Sequence, residues 1–331
     1  MRTYTINSID RIRLNLLKLK PAKVLGEVYS FYRKSMEKYF DRNGNPKKDY
    51  FEEVNCPVCK STRHRHKINI DDFEYRQCVL CGSVYNSPRL KDGVLDLMYK
   101  SGEYNTYFKK LTVSSQRLRK NVIELRKFKQ LSTFFHKPGS LLDVGCGTGS
   151  FLKVCQEHGW RVCGVDPSKS AVQVAKDKYG IEIENNYFDS YKAEIKFDCI
   201  TFWGQLEHLS NPMNALKKAV GLLKKGGLII FEVPSADSFL MRYLVSNKFS
   251  PYRYIENARH LIFFSKLSIE RICTVFDLSL SYLESNGLDL QTILPYNFNR
   301  KLIEKIISMQ QIIDENMLGD HYRVFLKRRK K

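Results

Sequence analysis

Leu141-Leu142-Asp143-Val144-Gly145-Cys146-Gly147-Thr148-Gly149-Ser150 decides the fold of this 331-residue chain. The apolar run reads as a strand, the three alternating glycines as a tight turn, and Ser150 as the start of a helix. Glycines in such a turn allow left-handed backbone angles and a close approach to a ligand. The dinucleotide fingerprint G-x-G-x-x-G would place its third glycine one residue later, where this chain has Ser150. An acid, Asp143, also stands two residues before the first glycine. A carboxylate there disfavours a pyrophosphate and favours a cationic ligand without phosphates.

C-terminal to the turn, short β-rich runs alternate with helical stretches. Strands are expected at 141–144, 161–165, about 182–185, 198–203 and 228–233, with a last one at 322–326. This alternation predicts an α/β fold, a parallel sheet with helices on both faces. Asp166 follows the second expected strand, 23 residues after Asp143, as one strand-helix-strand step requires.

Upstream the pattern differs. Leu118, Val122, Leu125, Phe128, Ser132 and Phe135 trace an amphipathic helix ending at Pro138-Gly139. Cys56-Pro57-Val58-Cys59 is followed, after eighteen residues, by Cys78-Val79-Leu80-Cys81-Gly82. Two C-x2-C knuckles at this separation can offer four thiolates to one Zn2+, and a closed four-cysteine set makes the metal structural, not catalytic. A segment of this size has too little core and needs such a staple. His64 and His66, between the knuckles, are surplus to the metal and expected in solvent. Residues 1–50 read as two amphipathic helices split near Pro21, with Ile9, Ile12, Leu16 and Leu19 on one face and Val24, Val28, Phe31, Tyr32 and Tyr39 on another. They carry twelve Lys/Arg against five acids. The expected organisation is a basic helical extension (1–50), a zinc-ribbon mini-domain (51–90), a helical linker (91–138) and the α/β domain (139–331).

The stretch from Asp143 to Gly149 resembles the first motif, D/E-x-G-x-G-x-G, of the class I S-adenosylmethionine-dependent methyltransferases, whose fold is Rossmann-like. The resemblance implies S-adenosylmethionine as cofactor, with Asp143, Gly145, Gly147 and Gly149 at its amino-acid end and Asp166 accepting both ribose hydroxyls. The two acceptor oxygens of a carboxylate suit a vicinal diol. Asp189, or the neighbouring Phe188, is the adenine contact the resemblance implies.

Leu206-Glu207-His208 through Pro212 resembles the L-E-H-x-x-x-P segment of a subfamily that includes ubiquinone-type O-methyltransferases and sugar-modifying enzymes. His208 is the candidate general base, because an imidazole titrating near neutrality can take a hydroxyl proton. A structural His–Glu pair capping the next helix is the other reading. Some relatives, the small-RNA 2′-O-methyltransferases among them, hold Mg2+ with E-x-x-E-H and a later His. Here Gly204 replaces the first acid, leaving Glu207, His208 and His260 as candidate catalytic residues that could hold a divalent ion. The second knuckle with Val84-Tyr85-Asn86-Ser87-Pro88-Arg89, Tyr99 and Tyr104 looks like the zinc-ribbon prefix of methyltransferases of bacterial sugar and surface-polysaccharide pathways. His260-Leu261-Ile262-Phe263-Phe264-Ser265 and Gly319-Asp320-His321-Tyr322 are similar to the same subfamily's tail. The function implied is O-methylation, or C-methylation, of a sugar, sugar-nucleotide or glycan acceptor.

A hydrophobic fraction of 43% excludes disordered and collagen-like chains. No run approaches the roughly 18 to 20 apolar residues of a spanning helix. Arg11, Arg13, Lys18 and Lys20 interrupt any signal-peptide core, so a cytoplasmic location is expected. In a reducing compartment nine cysteines point to metal, not disulfides. The formal charge of +20 suits an anionic small-molecule or glycan acceptor. It also suits two alternatives: an RNA substrate gripped by the ribbon and basic surface, and a non-catalytic protein at the inner face of the membrane held by the N-terminal helices. The acids at the glycine turn suit the cofactor, so the positive charge concerns whatever else approaches.

Overall fold

Ser140–Val144 is buried along its whole length, as a strand covered on both faces must be. The computed structural model describes residues 34–70, 73–100, 123–247, 259–294 and 299–329, with Glu27 and Ser30. Of the two expected N-terminal helices, the residues from Ile9 to Tyr32 other than Glu27 and Ser30 lie outside these residues, as do the start of the helix expected from Leu118 and Tyr104; Tyr39, expected on the second helix, ends a 3-10 turn, Glu37–Tyr39, and is buried.

In chain order the strands are β1 (Phe51–Glu52), β2 (His64–Ile70), β3 (Phe73–Cys78), β4 (Val84–Asn86), β5 (Arg89–Leu90), β6 (Ser140–Val144), β7 (Arg161–Val165), β8 (Phe197–Trp203), β9 (Leu223–Pro234), β10 (Ile262–Phe263), β11 (Leu278–Asn286) and β12 (His321–Arg328). The helices are α1 (Asp92–Lys100), α2 (Leu125–Ser132), α3 (Ser150–Glu157), α4 (Lys169–Tyr179), α5 (Pro212–Leu222), α6 (Phe239–Asn247), α7 (Lys266–Phe276), α8 (Asp289–Ile293) and α9 (Arg300–Glu315).

Six strands form the main sheet in the order β11-β12-β9-β8-β6-β7. β7, β6, β8 and β9 run parallel, and β12 lies antiparallel between β9 and β11. Alternate residues serve opposite faces. Leu141, Cys199, Ile230 and Phe325 pack under α2, α3 and α4 through Phe128, Leu131, Phe151, Leu152 and Ala175. Leu142, Ile200, Phe231 and Val324 pack under α5 and α7 through Leu216, Ala219, Ile269 and Ile272. Each fully buried Leu, Ile or Phe among them contributes about 1.5–3 kcal/mol of transfer free energy.

Five of the six expected strands form, most with longer bounds. The stretch expected as a strand at about 182–185 is instead a single parallel bridge, Glu184 to Val165. Its asparagines compete with the ladder: Asn185 Nδ2 donates to the Asp166 carbonyl at 3.0 Å, and Asn186 Oδ1 accepts from the Tyr187 N–H at 2.9 Å. The sequence reading did not include β11, in which a bulge between Leu280 and Tyr282 interrupts the alternation that marks a strand.

A second sheet has the order β10-β4-β3-β2. Its edge strand β10 pairs Ile262 with Tyr85 and Phe263 with Val84. The cysteine segment thus shares its interior with the rest of the chain: Phe51, Ile70, Phe73 and Val84 pack with Leu240, Met241 and Phe263. Among the described residues no helix is long and apolar enough to cross a membrane.

Candidate functional site

The glycine turn joins β6 to α3 at the C-terminal edge of the sheet, where open parallel sheets bind ligands. Gly145, Gly147 and Gly149 have φ of +68°, +54° and +71°, angles that side-chain-bearing residues rarely adopt. A Cβ on Gly145 would stand 2.3 Å from Gln205 Oε1, whereas one on Gly147 would meet nothing within 4 Å. The turn is therefore backed by Gln205 on one side and open at Gly147.

Asp143 and Asp166 flank this turn, both buried, at 2% and 8% exposure. Thr201 Oγ1 donates to Asp143 Oδ1 at 2.6 Å. Burial pushes the Asp143 carboxyl up to about 7, against the Thr201 hydrogen bond and the Lys127 ammonium. Asp166 Oδ2 accepts the Gly147 N–H at 2.8 Å and Oδ1 the Ser168 N–H at 2.9 Å. Burial raises this carboxyl too, partly offset by those two N–H groups. Each oxygen has a second lone pair, so the carboxylate can accept two further donors.

Past β8, Glu207, His208 and His260 come together, each offering a ligand atom within 4.8 Å of the others. His208 Nδ1 lies 2.9 Å from the Arg259 carbonyl and so carries the proton, which makes Nε2 the accepting nitrogen. Glu207 Oε1 is 4.0 Å from that Nε2, and the two imidazoles are 4.9 Å apart. Helix α5 is capped by Asn211, whose side chain accepts from Asn214 N. Glu207 and His208 therefore do not cap it.

Asp189 sits in a short 3-10 turn with an exposed side chain, and its carbonyl accepts from Lys218 Nζ at 2.7 Å. Phe188 beside it is buried against Phe202. Sequence reading missed Gln205; its one local signal is the glycine before it, Gly204, which in the structure takes a φ of +65°.

The four cysteines converge. Cys56 and Cys81 sulfurs are 3.5 Å apart and those of Cys59 and Cys78 3.4 Å, with all four within 4.8 Å of one another. Zn–S bonds of about 2.3 Å in a tetrahedron put sulfurs roughly 3.8 Å apart, so the set fits one Zn2+. His64 and His66 are exposed.

A parallel sheet with a glycine turn after one strand and an acid after its neighbour defines the Rossmann-like class I methyltransferase fold. The chain belongs to the methyltransferase-domain family, whose model it matches over residues 115–282. It is similar to the ubiquinone biosynthesis O-methyltransferase of Coxiella burnetii, 34% identical over 117 residues that make up 34% of this chain and 49% of that protein. The protein of the same name from Alkalilimnicola ehrlichii is 36% identical over 98 residues, 28% of this chain and 40% of that one. The chain thus spans about half the length of the curated relatives it matches. Similar solved structures include the plantazolicin methyltransferase BpumL in complex with SAH (16% identity, TM-score 0.48, 70% of this chain and 92% of that one). Another is a SAM dependent methyltransferase from Archaeoglobus fulgidus (18% identity, TM-score 0.45, 63% and 94%).

Proposed function

We propose that this protein transfers the methyl group of S-adenosylmethionine to a hydroxyl oxygen of a sugar-type acceptor, with Zn2+ held structurally by Cys56, Cys59, Cys78 and Cys81. The carrying observation is the pair of buried carboxylates, Asp143 and Asp166, on either side of a glycine turn left open at Gly147. The cofactor's sulfonium supplies the reactivity when bound. Asp166 accepts the two ribose hydroxyls, Asp143 offers a counter-charge, and Asp189 or Phe188 borders the adenine. His208 takes the acceptor's proton on Nε2, with its Nδ1–H fixed on the Arg259 carbonyl and Glu207 favouring the imidazolium that forms.

The direct test is transfer of label from methyl-tritiated S-adenosylmethionine to a panel of nucleoside-diphosphate sugars, oligosaccharides and catechol. Label on a sugar supports the reading. Label on catechol alone would move the acceptor from a sugar to a phenol. Absence of both S-adenosylhomocysteine binding and label transfer would end it.

Two further results are expected. His208→Ala keeps cofactor affinity but lowers turnover by roughly 10²–10⁴; unchanged turnover would remove it as the base. The second concerns pH. A cation binds the ionised form of Asp143, so binding releases a proton wherever the free site is protonated. S-adenosylmethionine affinity therefore rises with pH below about 7 and levels above it, by up to about tenfold per unit. Calorimetry at pH 6, 7 and 8 reads this, and Asp143→Asn flattens it. The sign for folding is opposite. The native state keeps a proton that the unfolded carboxyl loses near 3.8, so this group's contribution to stability declines as pH rises from there to about 7.

A further inference from the structure

The second cysteine knuckle holds two aliphatic side chains out in water. Val79 and Leu80 are 53% and 57% exposed, between the buried Cys78 and Cys81. Their turn is tied down: the Cys78 carbonyl accepts the Gly82 N–H at 3.0 Å, the Cys78 N–H donates to the Ser83 carbonyl at 2.9 Å, and Ser265 Oγ donates to the Cys81 carbonyl. Neither side chain can fold back onto the core without breaking these bonds. Single exposed aliphatics are ordinary on a protein surface, but two adjacent ones on a fixed turn call for a partner.

A run of cations lies alongside. Residues 60–67 read Lys-Ser-Thr-Arg-His-Arg-His-Lys, four Lys/Arg and two His with no acid. Lys60, Arg63, His64, Arg65 and His66 are exposed, and Lys67 is half-buried at the bulge in β2. The Val79 N–H donates to the Arg63 carbonyl at 3.1 Å, which sets the aliphatic pair beside this run. Lys60 follows Cys59, whose sulfur is 3.4 Å from that of Cys78, so it emerges near the same turn. Two nearby carboxylates, Glu53 and Glu74, are taken by Arg76 at 2.5 and 2.6 Å. The Arg65 guanidinium donates to the neutral Gln77 Oε1 at 3.0 and 2.7 Å, which leaves its charge uncompensated. Burial, and then the positive charges of Arg65 and Arg242, push the Lys67 ammonium below the ordinary lysine range, against a smaller pull from Asp237. β2 is an edge strand, and charges there also keep other strands from pairing with it. That role accounts for the cations but not for Val79 and Leu80.

We infer that the knuckle turn at Val79 and Leu80, together with the basic edge strand β2, docks this protein on the surface of a bilayer that contains anionic lipid. The partner follows from the two chemistries. Phosphate-bearing head groups neutralise Arg63, Arg65 and Lys67, and the hydrocarbon just beneath them takes up the two aliphatic side chains. RNA supplies the negative charge but no apolar phase. Its grip on single strands also uses exposed aromatic rings for stacking, whereas the aromatics between Cys56 and Cys81, Phe73 and Tyr75, are buried. The contact is peripheral, and it stands apart from the methyl-transfer reading.

The test is sedimentation of the full-length protein with sucrose-loaded vesicles of phosphatidylcholine, alone or with about 30% phosphatidylglycerol. Binding is expected to the anionic vesicles only, and should weaken as salt rises from about 0.1 to 0.5 M, because the Debye length shortens. Arg63→Gln with Arg65→Gln should raise the lipid concentration at half-binding by about tenfold or more. Val79→Ser with Leu80→Ser removes no charge and should raise it by about fivefold or more. All four side chains are exposed, so metal content and melting temperature stay those of the wild type in both variants. Lys176→Gln with Lys178→Gln on α4 removes the same charge from another exposed site and should shift half-binding by less than about twofold. The inference is overturned by no binding to anionic vesicles at about 1 mM lipid. It is overturned equally by binding that both ribbon variants retain, which would put the contact elsewhere on the chain, or by a serine pair that binds as the wild type does. In that last case, affinity for a labelled RNA that falls in the arginine variant would make β2 a nucleic-acid surface instead. None of these outcomes alters S-adenosylhomocysteine binding, so the methyltransferase reading stands or falls separately.

Discussion

Asp166→Ala should bind S-adenosylhomocysteine at least about 100-fold more weakly than the wild type, with the fold retained. The carboxylate would accept two ribose hydroxyls, each a hydrogen bond to a charged group worth roughly 1.5–3 kcal/mol. Losing both amounts to about 3–6 kcal/mol, or roughly 10²–10⁴ in affinity. The substitution also strips the Gly147 and Ser168 N–H groups of their acceptor, so the turn itself loosens. Asp166→Asn separates the two effects: one oxygen remains for Gly147 or Ser168, but the charge and one acceptor are gone. Calorimetry with S-adenosylhomocysteine, alongside a thermal melt, reads both variants. Wild-type affinity in Asp166→Ala would refute the ribose assignment and, with it, the placement of the cofactor beside the turn.

The second large effect is expected from the cysteines. Purified protein should contain one zinc per chain, and Cys56→Ser with Cys59→Ser should contain none and fail to reach the native fold at ordinary temperature. Structural zinc contributes on the order of 10 kcal/mol of apparent binding free energy, comparable with the stability of a whole domain. Here the loss would not stop at the ribbon. Cys56, Cys78, Cys81 and Tyr85 belong to the same buried cluster as Leu216, Phe231 and Ile269 of the main sheet and its helices. Ser265 Oγ donates to the Cys81 carbonyl, and Tyr75 OH to the His260 carbonyl at 3.3 Å. A tight chelator should therefore lower the melting temperature of the entire chain and reduce turnover through His260. Zinc-free protein with an unchanged melt would show that the four thiols need no metal.

Much of this was legible locally. The run from Leu141 to Ser150 announces its strand, turn and helix because all three are specified by adjacent residues, and the structure puts β6, three positive-φ glycines and α3 there. The knuckle spacing is local in the same sense. The strand expected near Glu184 shortened to one bridge because Asn185 and Asn186 bond the backbone themselves. β11 escaped notice because its bulge breaks the period-two pattern on which a strand reading depends.

The sequence by itself determined the class of fold, the glycine turn with its two acids and the four-cysteine cluster, since each is written in residue types at short, fixed spacing. Tertiary structure alone decided what stands beside them. β10 completes the ribbon's sheet, and the Tyr75–His260 bond joins residues 185 positions apart. Gln205 backs Gly145, and register across four strands lines up Trp203, Glu232, Arg323 and Glu284. Periodicity tells a residue which face of its own strand it occupies, but not which strand will lie alongside or at what register. Those are settled when distant apolar faces close on a common core.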